Sequence, residues 1–200
     1  PATREILGEV EITPAVDVPN IVARAKAAQP AWGDLGLEGR AELIKATADI
    51  FVDRVHEHGE LMTKEMGKPL KEAIGEAKSL GWGIEEELAE IIEALKPEVV
   101  EDGRLRSTVY HDPLGVVGAI TPWNFPSSML ARKLGPALAS GCTAVAKPAS
   151  QTPYSGLAWG VLCEEVGFPK GVVNIITGFG DPCGKTLTTH DMVEKIAFTG

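Results

Sequence analysis

The spacing of apolar positions changes character near residue 97 of this chain. Before that point the repeat is helical. In RAELIKATADIFVDRVHEH, Ile44, Ala48, Phe51 and Val55 recur at intervals of four, three and four, which puts them on one helical face. The earlier stretch VPNIVARAKAAQPAW is Ala-rich; Pro19 lies near its start and Pro30 is expected to end it. A third stripe runs through Leu70, Ile74, Ala77, Gly81, Ile84, Leu88, Ile91 and Leu95. It predicts one long helix, opened by Pro69 at the first helical position and closed by Pro97. Gly81 stands in that stripe, where the close approach of another backbone is expected.

From residue 97 the pattern is that of strands. PEVVEDGRLRSTVYHDP carries two short β-branched stretches about Asp102 and Gly103, a hairpin signal. Its strands are too polar for a core, so it is either a protruding ribbon or an edge that pairs with another subunit. After residue 114 the runs LGVVGAI, TAVAK, VVNIIT and KIAFTG are short, apolar and bounded by Gly or Pro. Between the first three lie PSSMLARKLGPALAS and TPYSGLAWGVLCEEVG, both with helical periodicity. Such alternation predicts an α/β fold: a Rossmann-like parallel sheet with flanking helices, covered on both faces. The expected organisation is a helical part over 1–96, a hairpin arm over 97–113 and a sheet region over 114–200. Parallel sheets bind ligands outside the carboxyl ends of their strands. Those ends are Thr121-Pro122-Trp123-Asn124, Lys147-Pro148, Thr177-Gly178 and Thr199-Gly200.

Composition narrows the function mainly by exclusion. A formal net charge of −9 argues against a nucleic-acid partner, which needs a basic face. No apolar stretch approaches a membrane span, and PATREILGEVEITP has neither the basic nor the apolar region of a signal peptide. A cytoplasmic protein with no membrane partner is therefore expected. Cys142, Cys163 and Cys183 form no CxxC pair and read as small buried hydrophobes. His56, His58, His111 and His190 are scattered, and no metal site is expected.

The strand ends hold the candidate chemistry. Pro126 fits the first position of a helix, which makes Phe125 its N-cap and leaves Asn124 one residue outside. Asn is a favoured turn former, and it is also a donor that could face developing negative charge. Lys147, closing TAVAK, could snorkel to water or reach a sugar hydroxyl or phosphate. Gly178, Gly180 and Gly184 form a turn one residue longer than the dinucleotide fingerprint, and a helix starting after it would present free N–H groups to a pyrophosphate.

Together, ITPWNFP, RKLGPALASGCTAVAKPASQTP, GFPKGVVNIITGFGDPCG and KIAFTG resemble the aldehyde dehydrogenase superfamily, in its order and spacing. The resemblance extends through the N-terminal region to the whole chain. It implies oxidation of an aldehyde to an acid with NADP or NAD, through a cysteine thiolate that attacks the carbonyl and a glutamate-activated water. It makes Asn124 the catalytic amide that holds the oxyanion. Lys147 corresponds to the lysine on the adenosine ribose, and Ser150 to the position three residues beyond it. Ile120, Thr121, Pro122 and Trp123 correspond to the cofactor cleft, and Gly180 and Gly184 to the pyrophosphate glycines. Phe198, Thr199 and Gly200 correspond to the strand end beneath the nicotinamide. The hairpin resembles the family's oligomerisation arm, which implies a homodimer or homotetramer.

Two features depart from the pattern. Ser150 stands where NAD-selective members often carry glutamate; a hydroxyl neither holds the ribose 2′-OH strongly nor repels a 2′-phosphate, so NADP is expected to be accepted. The family's nucleophilic cysteine and general-base glutamate lie beyond Gly200, so residues 1–200 alone are expected not to turn over aldehyde. The wording is closest to semialdehyde-oxidising members. Alternatives are an acyl-phosphate or acyl-CoA reductase of the same superfamily, and a non-catalytic nucleotide-binding or oligomerisation module.

Overall fold

A computed structural model describes residues 1–81 and 84–200. Four strands, β3 (Val116–Ile120), β4 (Thr143–Lys147), β5 (Val173–Ile175) and β6 (Val193–Phe198), form a parallel sheet in the order β5-β4-β3-β6. The separate antiparallel hairpin β1 (Glu98–Glu101) and β2 (Arg106–Val109) turns at Gly103, whose φ of 70° suits glycine. Every residue of both hairpin strands is exposed, as the polar pattern predicts.

The alternation of side chains sorts the sheet into two cores. Val116 and Val145 point to one face, with Ile176, Leu187 of α8 (Lys185–Thr188), and Val18, Val22 and Ala25 of α1 (Val18–Asp34). Ala119, Ala144 and Ala146 point to the other, beneath α6 (Pro126–Ala139) and α7 (Pro153–Glu165). The small alanines let those helices sit close. Leu130, Leu134, Leu138, Trp159 and Leu162 fill the layer, continuous with Trp32, Phe51 and Met62 of the N-terminal helices. The helices of residues 1–96 thus share the sheet's core.

Three helix boundaries differ from the apolar pattern. Pro30 lies inside α1, because the turn beyond it is held by burial. Trp32 is fully buried, donates from Nε1 to the Leu138 carbonyl at 2.9 Å and stacks on Phe168. The stripe Ile44, Ala48, Phe51, Val55 is buried throughout, but the helix breaks at Arg54 (φ −101°, ψ 27°), dividing α2 (Gly36–Asp53) from α3 (Val55–Met66). The long third helix is two: α4 (Leu70–Ser79), with Pro69 as its N-cap, and α5 (Ile84–Ala94). Within α4 the buried face is Ala73, Glu76 and Ala77, and Leu70 is exposed. A buried carboxylate, invisible to an apolar pattern, has turned the helix. At Gly81 the close neighbour is a side chain: a Cβ there would stand 2.5 Å from Cγ2 of Val52. No described helix is long and apolar enough to cross a membrane.

Candidate functional site

The chain runs β3–α6–β4–α7–β5 outward in one direction, then returns to place β6 on the other side of β3. The carboxyl ends of β3 and β6 therefore flank a topological switch point, where open α/β sheets form a binding crevice. Ile120 pairs with Lys147 on one side and with Phe198 on the other. All three project from the α1/α8 face. At a strand spacing of about 4.8 Å, Lys147 and Phe198 stand about 10 Å apart with Ile120 between them. Backbone bonds carry the register past the strands: Thr121 N–H donates to the Lys147 carbonyl at 3.3 Å, and Thr199 N–H to the Ile120 carbonyl at 3.0 Å.

Lys147 does not snorkel. It is buried, and Nζ donates to the carbonyls of Pro148 (2.9 Å) and Gly178 (3.3 Å), which leaves one of its three donors uncommitted. Burial pulls its pKa below the usual lysine value, opposed by neighbouring Cys183. Gly184 packs against its stem: a Cβ there would meet Lys147 Cε at 3.3 Å, so the turn can lie over the lysine only with a small residue. The helix expected after the glycine turn is present as α8, but it is short. Residues Gly180–Gly184 form a wide π-type turn, broken at the extended Asp181, and α8 after it is only four residues long. The Gly184 N–H is taken by the Phe179 carbonyl. Gly180 borders open space.

Ser150 is exposed and lies with Val10, Ile12, Pro153, Thr177, Gly178 and Phe179 around a hollow of about 180 Å³. The N-terminal segment is held in that wall by the Thr13 N–H to the Thr177 carbonyl (2.9 Å) and by Thr177 N–H to Thr13 Oγ1 (3.1 Å). Next to the row, the Thr121 hydroxyl is buried and without a partner among the described residues. An orphaned hydroxyl, a spare ammonium donor, a glycine cradle and a hollow near the strand ends suit a polyhydroxyl phosphate ligand. Pro122 is half-buried; Trp123 and Asn124 are exposed, and the Asn124 side chain makes no hydrogen bond with the described residues. Phe198, Thr199 and Gly200 are exposed at the opposite flank. Lys133 of α6 donates to Thr199 Oγ1 at 2.7 Å and ties the two flanks of the switch point together.

Sequence reasoning did not find the groups that hold these loops. Phe125 caps α6 with no side-chain bond; instead Glu76 Oε1 accepts from Ser127 N–H (3.2 Å), Ser128 N–H (3.1 Å) and Ser128 Oγ (3.2 Å). At α7, Thr152 likewise gives no cap, and Glu65 accepts from the N–H groups of Tyr154 (2.5 Å) and Ser155 (3.1 Å). The available signal was a Pro-initiated helix behind a residue that does not cap. Arg132, two turns along α6 from Phe125, lines a groove of about 420 Å³ with Phe125, Ser128, Met129 and Glu87, and forms no ion pair among the described residues. The three cysteines are buried and free, and burial pushes the Cys163 thiol up to about 12, which keeps it protonated and inert. Among the described residues no cluster of His, Cys, Asp and Glu could hold a metal ion.

The aldehyde dehydrogenase family profile matches residues 1–200. Glutarate-semialdehyde dehydrogenase of Pseudomonas aeruginosa is 45% identical over the whole chain, and the NADP(+) succinate-semialdehyde dehydrogenase of Escherichia coli is 42% identical. Each alignment covers 42% of the relative, so the chain spans about two fifths of the length of these proteins. Among solved structures, PnpE in complex with nicotinamide adenine dinucleotide superposes with a TM-score of 0.92 at 37% identity, over 98% of this chain and 40% of that one. An aldehyde dehydrogenase from Brucella melitensis biovar abortus gives the same TM-score at 36% identity, over 98% and 41%.

Proposed function

The chain belongs to the aldehyde dehydrogenase family, and from that premise we propose that the whole protein oxidises an aldehyde to a carboxylic acid with NADP or NAD. The observation that carries the proposal is the row Lys147, Ile120, Phe198 at a switch point, with Asn124, exposed and without a hydrogen bond among the described residues, four residues beyond Ile120 in the chain. Lys147, Thr121 and Ser150 would hold the dinucleotide by their donors. Gly180 and Gly184 would let its phosphates approach, and Ile120, Pro122, Trp123, Phe198, Thr199 and Gly200 would wall the cleft. Bound there, the dinucleotide supplies the hydride acceptor. Asn124 donates from its amide to the carbonyl oxygen of the aldehyde as that oxygen gains charge, a contribution of about 2.7–4 kcal/mol. Cys142, Cys163 and Cys183 are buried, and the family resemblance puts the nucleophilic cysteine and the general-base glutamate outside residues 1–200. Residues 1–200 alone would not turn over.

The substrate proposed is a semialdehyde that carries a carboxylate. The relatives named for succinate and glutarate semialdehyde support it, as does Arg132 in the groove beside Phe125. Ser150 supports use of NADP. The hairpin, with Val99, Val100, Leu105, Val109 and Tyr110 exposed, supports an oligomer in which it covers a partner subunit. Three free buried thiols suit a reducing cytoplasm.

The test is turnover of the whole protein with succinate semialdehyde, glutarate semialdehyde and an uncharged aldehyde of similar length, each with NAD and with NADP. Expected are a higher kcat/KM for the charged aldehydes, activity with NADP, and a loss of about 100-fold or more in kcat on Asn124→Ala with cofactor Kd unchanged. Absence of aldehyde-dependent reduction of either cofactor overturns the proposal.

A further inference from the structure

A helix beginning at Pro126 has its first free N–H groups on Ser127 and Ser128, at the N2 and N3 positions that a capping side chain normally satisfies. The nearest local capping side chain is Asn124, one residue outside Phe125. An asparagine that capped would spend its carbonyl on those N–H groups and turn its amide inward. Here both N–H groups go instead to Glu76, fifty-one and fifty-two residues away in sequence. The other carboxylate oxygen of Glu76 accepts from Lys68 Nζ at 2.5 Å, in a pair whose side chains are 2% and 8% exposed. Lys68 Nζ in turn lies 3.8 Å from the centre of the Phe125 ring. Two buried charges of opposite sign, one on the helix start and the other on the ring beside Asn124, grip the loop at two points.

We propose that Lys68 and Glu76 are positioning residues for the Asn124 amide: the imported carboxylate caps α6 in place of Asn124 and so leaves the asparagine free to face substrate. The inference rests on the aldehyde-oxidation reading. Neither residue touches the reacting atoms. Glu76→Gln keeps one carbonyl oxygen for the Ser127 and Ser128 N–H groups but sets an NH2 against the Lys68 ammonium, so donor faces donor and the grip on the loop loosens. Ion pairs of this burial are costly unless every oxygen is satisfied, and here a carboxylate with four donors meets that condition. Mere docking of α4 on α6 would need neither the cation on Phe125 nor the placement of both N–H bonds.

A double-mutant cycle in the whole enzyme tests this. Glu76→Gln should lower kcat by about 100-fold, the loss expected of a misplacement of about 1 Å, with KM for cofactor unchanged. In the Asn124→Ala background the same substitution should cost less than threefold, because what it positions is already gone. Equal losses in both backgrounds, or none in the parent, overturn the proposal. If Glu76→Gln fails to fold, Lys68→Gln, which keeps the carboxylate cap and removes the cation from Phe125, takes its place in the cycle. A loss confined to the parent background then supports the proposal, and equal losses or none overturn it. An inactive parent enzyme would instead count against the aldehyde reading, and hydrogen exchange at Ser127 and Ser128 would then still report whether Glu76→Gln frees the loop.

Discussion

The crossovers that follow β3 and β4 are built alike and charged differently. Both helices start at a proline, both have an N-cap residue that makes no side-chain bond, and both receive a glutamate from the N-terminal helices on their N2 and N3 amides. Glu76 of α4, which caps α6, is paired with Lys68 and almost wholly buried. Glu65 of α3, which caps α7, has no cation partner among the described residues, and burial raises its pKa against the pull of its three hydrogen bonds. The same geometric device therefore carries a cation partner beside Asn124 and none among the described residues beside Ser150. On the role proposed for Asn124, clamping belongs where a loop must hold one amide in place, whereas the loop after β4 has a buried lysine already fixed by two carbonyls.

Removing each carboxylate is the harshest way to break the comparison. Glu76→Leu orphans two amides and leaves the Lys68 ammonium buried and unpaired, a loss of about 3–5 kcal/mol in the unfolding free energy of the whole protein. Adding Lys68→Met should recover part of it, because the isolated charge goes with the lysine. Glu65→Ala strands hydrogen-bond donors but no cation, and should cost about 1–3 kcal/mol. Urea unfolding of the four proteins decides it; equal losses for the two single variants would mean that the Lys68 pairing contributes nothing.

Such remote caps show what a linear pattern can and cannot carry. The central strands β3 and β4 are legible because burial on both faces demands unbroken β-branched and small residues, and Asp102-Gly103 announces its hairpin because few other pairs fit that turn. The strand-end residues Ile120, Lys147 and Phe198 are legible with them, since register follows from strand position. Helix ends in the first half are not. The buried stripe continues through Arg54 although the backbone does not, and Pro30 is overruled by the burial of Trp32. The glycine turn suggested a helix after it, and α8 follows, but the wide turn closed by the Gly184 N–H on Phe179 and the shortness of that helix were not legible. Glu65 and Glu76 read as solvated charges on helix faces; only Phe125 and Thr152, poor caps behind Pro-initiated helices, hinted at them.

Acid titration sharpens the contrast more gently. Because the folded protein holds the Glu65 carboxyl above the ordinary value of 4.5, the folded state binds the proton more tightly than the unfolded chain. That contribution to stability is complete below about pH 4.5 and is lost as pH rises through the raised folded value. Glu65→Gln cannot lose it. Its stability relative to the parent, read in urea midpoints, should therefore improve as pH rises from about 4.5 through the raised folded value and level off above it, and a relative stability that falls over that range would show the folded carboxyl to be lowered instead.

The smallest effect separates the two serines. Ser155 Oγ donates to Glu65 at 2.5 Å, and Ser128 Oγ to Glu76 at 3.2 Å. In the first case the hydroxyl is one of three donors to a carboxylate without a cation. In the second it is one of four, and Lys68 holds the charge whether or not the hydroxyl is present. Ser155→Ala should therefore cost about 1.5–3 kcal/mol, the range for a bond to a charged group, and should raise the Glu65 pKa further, because this hydrogen bond now lowers it. Ser128→Ala should cost about 1 kcal/mol or less. A pH series of unfolding midpoints on both variants reads the two consequences together. If Ser128→Ala proved the costlier change, the Lys68 cation would not be compensating the carboxylate, and the distinction between a cap paired with a cation and one without would fail at its most sensitive point.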